Sequence, residues 1–205
     1  MTNEVVILRT GVANIASVQS AFARLGVAVR LCDEPSDIVS AAFVVLPGVG
    51  AFGSAMQYLQ TRAMIDPLSL RVRLDRPTLA ICLGLQLLCA ASDESPGRNG
   101  IGIIHETVHR FHPRVRVPQI GWNKVRPLDG AGFITEGYAY FANSYCLRQA
   151  PDGWLASRTD YGEPFVSALQ RGRVLACQFH PELSGTWGLN VLSRWLAGED
   201  GAPGC

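Results

Sequence analysis

The sequence lacks most of what would commit it to a charged or membranous partner. No apolar run reaches the ~18 to 20 uninterrupted residues that a membrane-spanning helix needs. Lys plus Arg number 18 against 17 Asp plus Glu, so the net charge is +1, too small to gather nucleic acid through a strong field. Cys32, Cys82, Cys89, Cys146, Cys177 and Cys205 are the cysteines, and no two of them stand in the C-x-x-C spacing of a zinc or redox site. The opening MTNEVVILRTG has no basic stretch followed by a long apolar core and a small-residue cleavage site, so no secretory leader is read. A cytosolic setting follows, with the cysteines expected as thiols.

What is present is a globular composition. The chain has 205 residues, 48% of them hydrophobic and 17% charged, which suits one domain over 1–205 with a tail from about 198 expected to fray. In the first half, short apolar bursts alternate with helical periodicity. Val5 to Leu8, Val27 to Leu31, Ala42 to Leu46 and Thr78 to Cys82 read as buried strands. Between them the pattern predicts a helix capped by Asn14 and stopped by Gly26, others over Phe52 to Leu59 and Met64 to Leu74, and one over Gly84 to Ala91. Repeated β-α units imply a parallel sheet covered on both faces. From about residue 100 the texture changes to short strands between Gly and Pro signals: Val115 to Val117, Trp122 to Val125, Tyr138 to Tyr145, Trp154 to Arg158, Phe165 to Gln170 and Val174 to Phe179. Arg171-Gly172 is a hairpin turn candidate, and Trp187 to Leu196 a closing helix. The fold expected is a three-layer α/β/α sandwich, its mostly parallel central sheet carrying antiparallel additions.

Three segments could carry chemistry. In Ile81-Cys82-Leu83-Gly84-Leu85-Gln86 a strand meets a helix with a cysteine at the junction, where helix N-terminal N–H groups favour the thiolate. Its plain alternative is a small buried hydrophobe. In Gln178-Phe179-His180-Pro181-Glu182, the proline holds His180 extended, so that Glu182 can orient a histidine that exchanges a proton with a thiol. Alone, this is also a surface turn. Leu46-Pro47-Gly48-Val49-Gly50 lacks the Gly-Lys-Ser/Thr ending of a phosphate loop, leaving either a simple β-to-α turn or backbone amides aimed at an oxyanion. His105, His109 and His112 show no partner spacing and read as structural.

Together, a nucleophile, a base with its orienter and oxyanion donors at strand ends make the sequence resemble the class I (triad) glutamine amidotransferases. LPGVGAFGSAM from Leu46, PTLAICLGLQLL from Pro77, VPQIGWN from Val117, YFANSY from Tyr140 and QFHPELSG from Gln178 resemble, within that group, the glutaminase subunits of imidazole glycerol phosphate synthases. The resemblance covers about residues 4 to 196 and implies a flavodoxin-like fold, hydrolysis of glutamine to glutamate and ammonia, and no metal or organic cofactor. It implies Cys82 as nucleophile, His180 as general base then acid, and Glu182 as orienter. Gln86 and the backbone of Leu83, Ser144 and Tyr145 would hold glutamine, and Gly48, Val49 and Gly50 would supply the oxyanion site. Asn14, Trp122 and Tyr140 match positions facing a cyclase partner, a (β/α)8 barrel that forms a heterodimer and receives ammonia internally. The sequence departs from the family where His is usual, at Gln119 and Asn143, and where Lys or Arg is usual, at Leu183. Two other readings remain at this stage: a glutaminase serving a different synthase, and a catalytically silent binding subunit.

Overall fold

The computed structural model describes residues 4–10, 15–32, 34–48, 50–128 and 132–198. The first half runs β1 (Glu4–Leu8), α1 (Ile15–Arg24), β2 (Ala28–Cys32), α2 (Pro35–Ser40), β3 (Phe43–Leu46), α3 (Phe52–Thr61), α4 (Ile65–Arg73), β4 (Thr78–Ile81) and α5 (Leu83–Leu88). The second half runs β5 (Cys89–Ser92), β6 (Ile104–Arg110), β7 (Gln119–Pro127), β8 (Gly137–Asn143), β9 (Tyr145–Cys146), β10 (Leu155–Asp160), β11 (Pro164–Arg171), β12 (Val174–Cys177), a 3-10 turn (Pro181–Leu183) and α6 (Gly185–Ala197).

One sheet has the order β2-β1-β3-β4-β12-β11-β10-β7-β8. From β2 to β12 every neighbour is parallel, and from β12 to β8 every neighbour is antiparallel. Within the parallel part, β1, β3, β4 and β12 are buried at successive positions because both of their faces are covered, while β2 lies at the edge and carries Arg30. Val6, Leu8, Val44, Leu46, Ala80, Val174 and Ala176 join one core with Ile38, Phe52, Met56, Leu59, Leu68 and Val72 from α2, α3 and α4. The alternate positions Val5, Ile7, Phe43, Val45, Leu79, Ile81, Leu175 and Cys177 join a second core with Val18, Phe22, Val191, Leu192 and Trp195 from α1 and α6. Two cores on opposite faces of one sheet make the expected three-layer sandwich. A smaller sheet, β5-β6-β9, adds Cys89, Ile104 and Val108 to the first core.

Some elements differ from expectation. The helix expected over Gly84 to Ala91 stops at Leu88, because the amides of Ile101, Gly102 and Ile103 bond to the carbonyls of Leu87, Cys89 and Leu88, and Cys89 to Ser92 pairs with β6 instead. The last carbonyls of a helix need such partners, and they come from residues 13 to 15 positions further along. Val115 to Val117 is not a strand, since Val115 N–H closes a turn onto the His112 carbonyl. Neither α2 nor β6 was expected. Gly26, at φ +71, and Gly172, at φ +51, do end α1 and form the β11-β12 turn. The Asn14 cap and the tail from 199 onward lie outside the described residues. No described helix is long and apolar enough to cross a membrane.

Candidate active site

In an open α/β sheet, ligands gather beyond the carboxyl ends of the parallel strands. Here β3, β4 and β12 are adjacent and end in Pro47-Gly48, Cys82 and Gln178 to His180, so the three sequence-distant segments converge. The four-residue β4 delivers Cys82 at φ +53, ψ −108, a backbone conformation that costs a side-chain-bearing residue on the order of 1–3 kcal/mol. It is held there by its N–H on the Cys177 carbonyl at 2.6 Å and by its own carbonyl, which accepts from Leu85 N–H at 3.1 Å. The sharp turn lifts the sulfur out of the sheet.

Gly84 and Gly48 make this junction possible. A Cβ on Gly84 would stand 2.2 Å from the Leu46 carbonyl oxygen, and one on Gly48 would stand 2.3 Å from the Gly84 nitrogen. The loop after β3 therefore lies directly on the first turn of α5, closer than any side chain permits.

After β12, the alternation of an extended chain sends Gln178 and His180 to one side and Phe179 to the other. Phe179 is fully buried against Phe141 and Trp187, with ring centroids at 5.9 and 5.3 Å. His180 keeps an extended backbone, its N–H donating to the Tyr140 carbonyl at 2.9 Å. The 3-10 turn then brings Glu182 Oε1 to 2.9 Å from His180 Nδ1, with both side chains nearly sealed from solvent. Ser184 ties the segment down, donating to the His180 carbonyl at 2.6 Å while accepting from Tyr140 N–H at 2.9 Å.

Burial alone would push the His180 imidazole down from its ordinary 6.5, but hydrogen bonding to the Cys82 sulfur and to Glu182, with their charges, lifts it to about 10. With Nδ1 facing Glu182, the other ring nitrogen is the one left for the sulfur. Burial raises the other described thiols, Cys32 to about 11 and Cys146 to about 12, and Cys89 and Cys177 far enough to keep them unionised. All five described cysteines are free.

Cys82 and His180 open on a pocket of about 180 Å³, which Gly48, Gly50, Leu83, Gln86, Ser144 and Tyr145 also line. Of the residues singled out in the sequence, the structure gathers all of these with Glu182 behind. Val49 and Asn14 lie outside the described residues. Trp122 and Tyr140 pair across β7 and β8, edge to face at 6.2 Å, on a face where Ile120, Trp122 and Tyr138 are each at least 58% exposed. Tyr145 contributes its carbonyl, which accepts from Gln86 Nε2 at 3.2 Å and Asn143 Nδ2 at 3.0 Å. The departures Gln119 and Asn143 turn out to be directly opposed across the β7-β8 ladder. Both are buried, and each has an amide oxygen without a protein partner. Leu183, by contrast, is exposed.

Sequence reasoning missed Glu94, the one carboxylate lining the pocket among the described residues. Its Oε2 accepts from Phe52 N–H at 2.7 Å at the start of α3, and Ser95 Oγ accepts from Gly53 N–H at 3.0 Å. Asp93-Glu94-Ser95 lies in an unremarkable polar loop, so no local pattern distinguishes it. His109 also corrects expectation, because its Nδ1 lies 3.0 Å from Asp93 Oδ2, an exposed pair. Among the described residues, no group of three or more His, Cys, Asp and Glu side chains is placed to hold a metal ion.

Comparison with known proteins shows the family. The family model for glutamine amidotransferase class-I matches residues 7–196. The imidazole glycerol phosphate synthase subunit HisH of Symbiobacterium thermophilum is 40% identical over 195 residues, covering 93% of this chain and 92% of that protein. The HisH subunit of Escherichia coli K12 is 39% identical over 197 residues, 94% of this chain and 98% of its own length. The chloroplastic imidazole glycerol phosphate synthase hisHF of Arabidopsis thaliana is 40% identical over 202 residues, which are 94% of this chain but 34% of that longer one. Among solved structures, a glutamine amidotransferase superposes with a TM-score of 0.76 at 19% identity, covering 96% of this chain and 99% of the other, a likeness of fold. With the family model matched over residues 7–196 and HisH subunits of near-equal length 39–40% identical, the chain belongs to the class-I glutamine amidotransferases, in the branch of the HisH subunits of imidazole glycerol phosphate synthase.

Proposed function

We propose that the chain hydrolyses the side-chain amide of glutamine with Cys82 as nucleophile, His180 as proton carrier and Glu182 as its orienter, and supplies the ammonia to a cyclase in histidine biosynthesis. The observation that carries this reading is His180, held by Glu182 through Nδ1 and lining, with Cys82, one pocket of a size for a small molecule. A histidine held near 10 carries a proton at neutral pH. In the proposed cycle the Cys82 sulfur attacks the carboxamide carbon as a thiolate, and the His180 imidazolium protonates the departing nitrogen as the C–N bond breaks. The resulting γ-glutamyl thioester is hydrolysed by water, which loses its proton to the now neutral His180, releasing glutamate and restoring the thiolate. Backbone amides of Leu83 and of the Gly48 to Gly50 loop meet the oxyanion.

Glu94 fits the other end of this substrate. A free amino acid carries an α-ammonium, and Glu94 is the pocket's carboxylate, held by Phe52 N–H through one oxygen and presenting the other.

The partner reading rests on the exposed face of Ile120, Trp122 and Tyr138, large apolar side chains left in water on the antiparallel end of the sheet. Tyr140 bridges that face to His180, so a cyclase barrel seated there sits next to the ammonia source. The Arabidopsis relative, in which the matching part is 34% of one longer synthase chain, supports a cyclase as occupant. We place this heterodimer in the cytoplasm. The deciding experiment mixes the chain with that cyclase and its nucleotide substrate and asks whether glutamine replaces ammonium salts in ring closure. Cys82→Ala should abolish glutamine-dependent closure and leave ammonium-dependent closure intact. Glutamine-dependent closure surviving in Cys82→Ala would reject the nucleophile.

A further inference from the structure

We propose that Gln178 is a positioning residue for the nucleophile: its side-chain amide donates an N–H to the Cys82 sulfur, and its orientation is dictated, through Gln86, by the backbone carbonyl of Tyr145. The inference rests on the reading of Cys82 as nucleophile and goes beyond the three residues assigned to the reaction.

Gln178 is completely buried, its backbone fixed by its N–H on the Ser167 carbonyl at 2.9 Å. Its Nε2 lies 3.6 Å from Cys82 Sγ, a hydrogen-bond distance to sulfur. Its Oε1 accepts from Gln86 Nε2 at 3.0 Å, and the same Gln86 nitrogen donates to the Tyr145 carbonyl at 3.2 Å. The two ends of a side-chain amide are often hard to tell apart, but here the chain of bonds leaves one solution. A backbone carbonyl only accepts, so Gln86 must turn its nitrogen to Tyr145. That nitrogen then has one hydrogen left, which requires an oxygen from Gln178, and Gln178 is left with only its nitrogen for the sulfur. Asn143 Nδ2, 3.0 Å from the same Tyr145 carbonyl, gives that carbonyl a second donor.

The function of the relay follows from its direction. An N–H aimed at sulfur favours the charged thiolate over the neutral thiol, and it fixes the sulfur opposite the Ala142 carbonyl, 3.9 Å away. Of the ionisable groups around the sulfur, the His180 imidazolium attracts a thiolate, whereas Glu94 in the same pocket and Glu182 behind His180 carry the opposite sign, and none of the three fixes the amide. Gln86 lines the pocket as well, and with both hydrogens of its nitrogen committed, only its oxygen remains for a ligand. A substrate held by that oxygen stiffens the relay and so reaches the sulfur without touching Gln178.

The test follows alkylation of Cys82 by iodoacetamide across the acid-to-alkaline range in the full chain, read by mass spectrometry on the Cys82 peptide. It compares the wild type with Gln178→Met, Gln178→Glu and Gln86→Met, each checked for folding by circular dichroism. The pH of half-maximal alkylation should rise by about one unit in Gln178→Met, a tenfold loss of reactive sulfur at lower pH. It should rise further in Gln178→Glu, where an oxygen faces the sulfur, and in the same direction but less in Gln86→Met, which never touches the sulfur. If Gln178→Met does not fold, the isosteric Gln178→Glu decides. Profiles of the Gln178 variants that superimpose on the wild type, with Cys82 still labelled, would overturn the inference and leave the nucleophile standing. Labelling confined to another cysteine in the wild type would instead remove Cys82 as the nucleophile and with it the basis of the relay.

Discussion

Replacing Gly84 by alanine tests the contact on which the site geometry depends. The new methyl carbon would stand 2.2 Å from the Leu46 carbonyl oxygen, where ordinary contact begins at 3.4 Å, so the end of β3 or the first turn of α5 must retreat by about 1 Å. The obstacle is backbone, and neither side can swing away as a side chain would. Both sides carry chemistry, since α5 begins beside Cys82 and the β3 loop brings Gly48 to the same pocket. Overpacking of this kind costs roughly 1–3 kcal/mol, which for a domain of this size lowers the melting temperature by roughly 2–12 °C. A displacement of about 1 Å at reacting groups costs ~10²-fold in turnover. Gly84→Ala should therefore lose about two orders of magnitude in glutamine hydrolysis, measured as glutamate released in the presence of the cyclase, while still melting cooperatively. Gly26→Ala is the control. Its φ is +71 but nothing lies within 4 Å of the added carbon, so it should lose some stability and keep its activity. Wild-type rates in Gly84→Ala, or an equal loss in Gly26→Ala, would refute the claim that this close approach sets the catalytic geometry.

Glu94→Gln should raise KM for glutamine by about 10- to 100-fold, the loss of a charged hydrogen bond, with a smaller effect on kcat, since the amide oxygen can still accept from Phe52 N–H; an unchanged KM would dismiss the ammonium contact. His180 should titrate by NMR at about 10. Because that lies above its ordinary 6.5, its contribution to stability is complete below pH 6.5 and lost as pH rises towards 10. Glu182→Gln should lower the midpoint and flatten the loss, and a wild-type midpoint near 6.5 would refute the charged resting imidazole. Arg71 is fully buried at the opposite end of the sheet, donating to Thr78 Oγ1 and to the carbonyls of Ile38, Ala41, Ala42 and Pro77. Arg71→Met would take a donor from each of them, leaving Ala41 with Arg76 and Pro77 with Val44 N–H, at a cost of about 3 kcal/mol or more, visible in denaturant melts. Turnover per folded molecule should be unchanged.

The sequence by itself determined the features that depend on neighbours along the chain. Apolar bursts in the first half were strands because a residue run buried on both faces has no polar position to spare, and Gly26 and Gly172 ended their elements because both need a positive φ. Cys82, His180 and Glu182 were legible as chemistry because a strand-to-helix cysteine and a His-Pro-Glu turn are local geometries. The tertiary structure decided what distant chain segments impose. The C-terminal end of α5 was fixed by amides of residues 101–103, and Cys89 to Ser92 became a strand only because β6 lies beside it. Glu94 entered the pocket through its bond to the first turn of α3, more than forty positions away in sequence. Gln178 reached the sulfur because β12 pairs with β4 in a register that sets Cys177 against Ile81. A pattern of types reports which residues bury or turn, but a hydrogen-bonding amide takes its role from what stands opposite it, and that is set only when the strands are laid side by side.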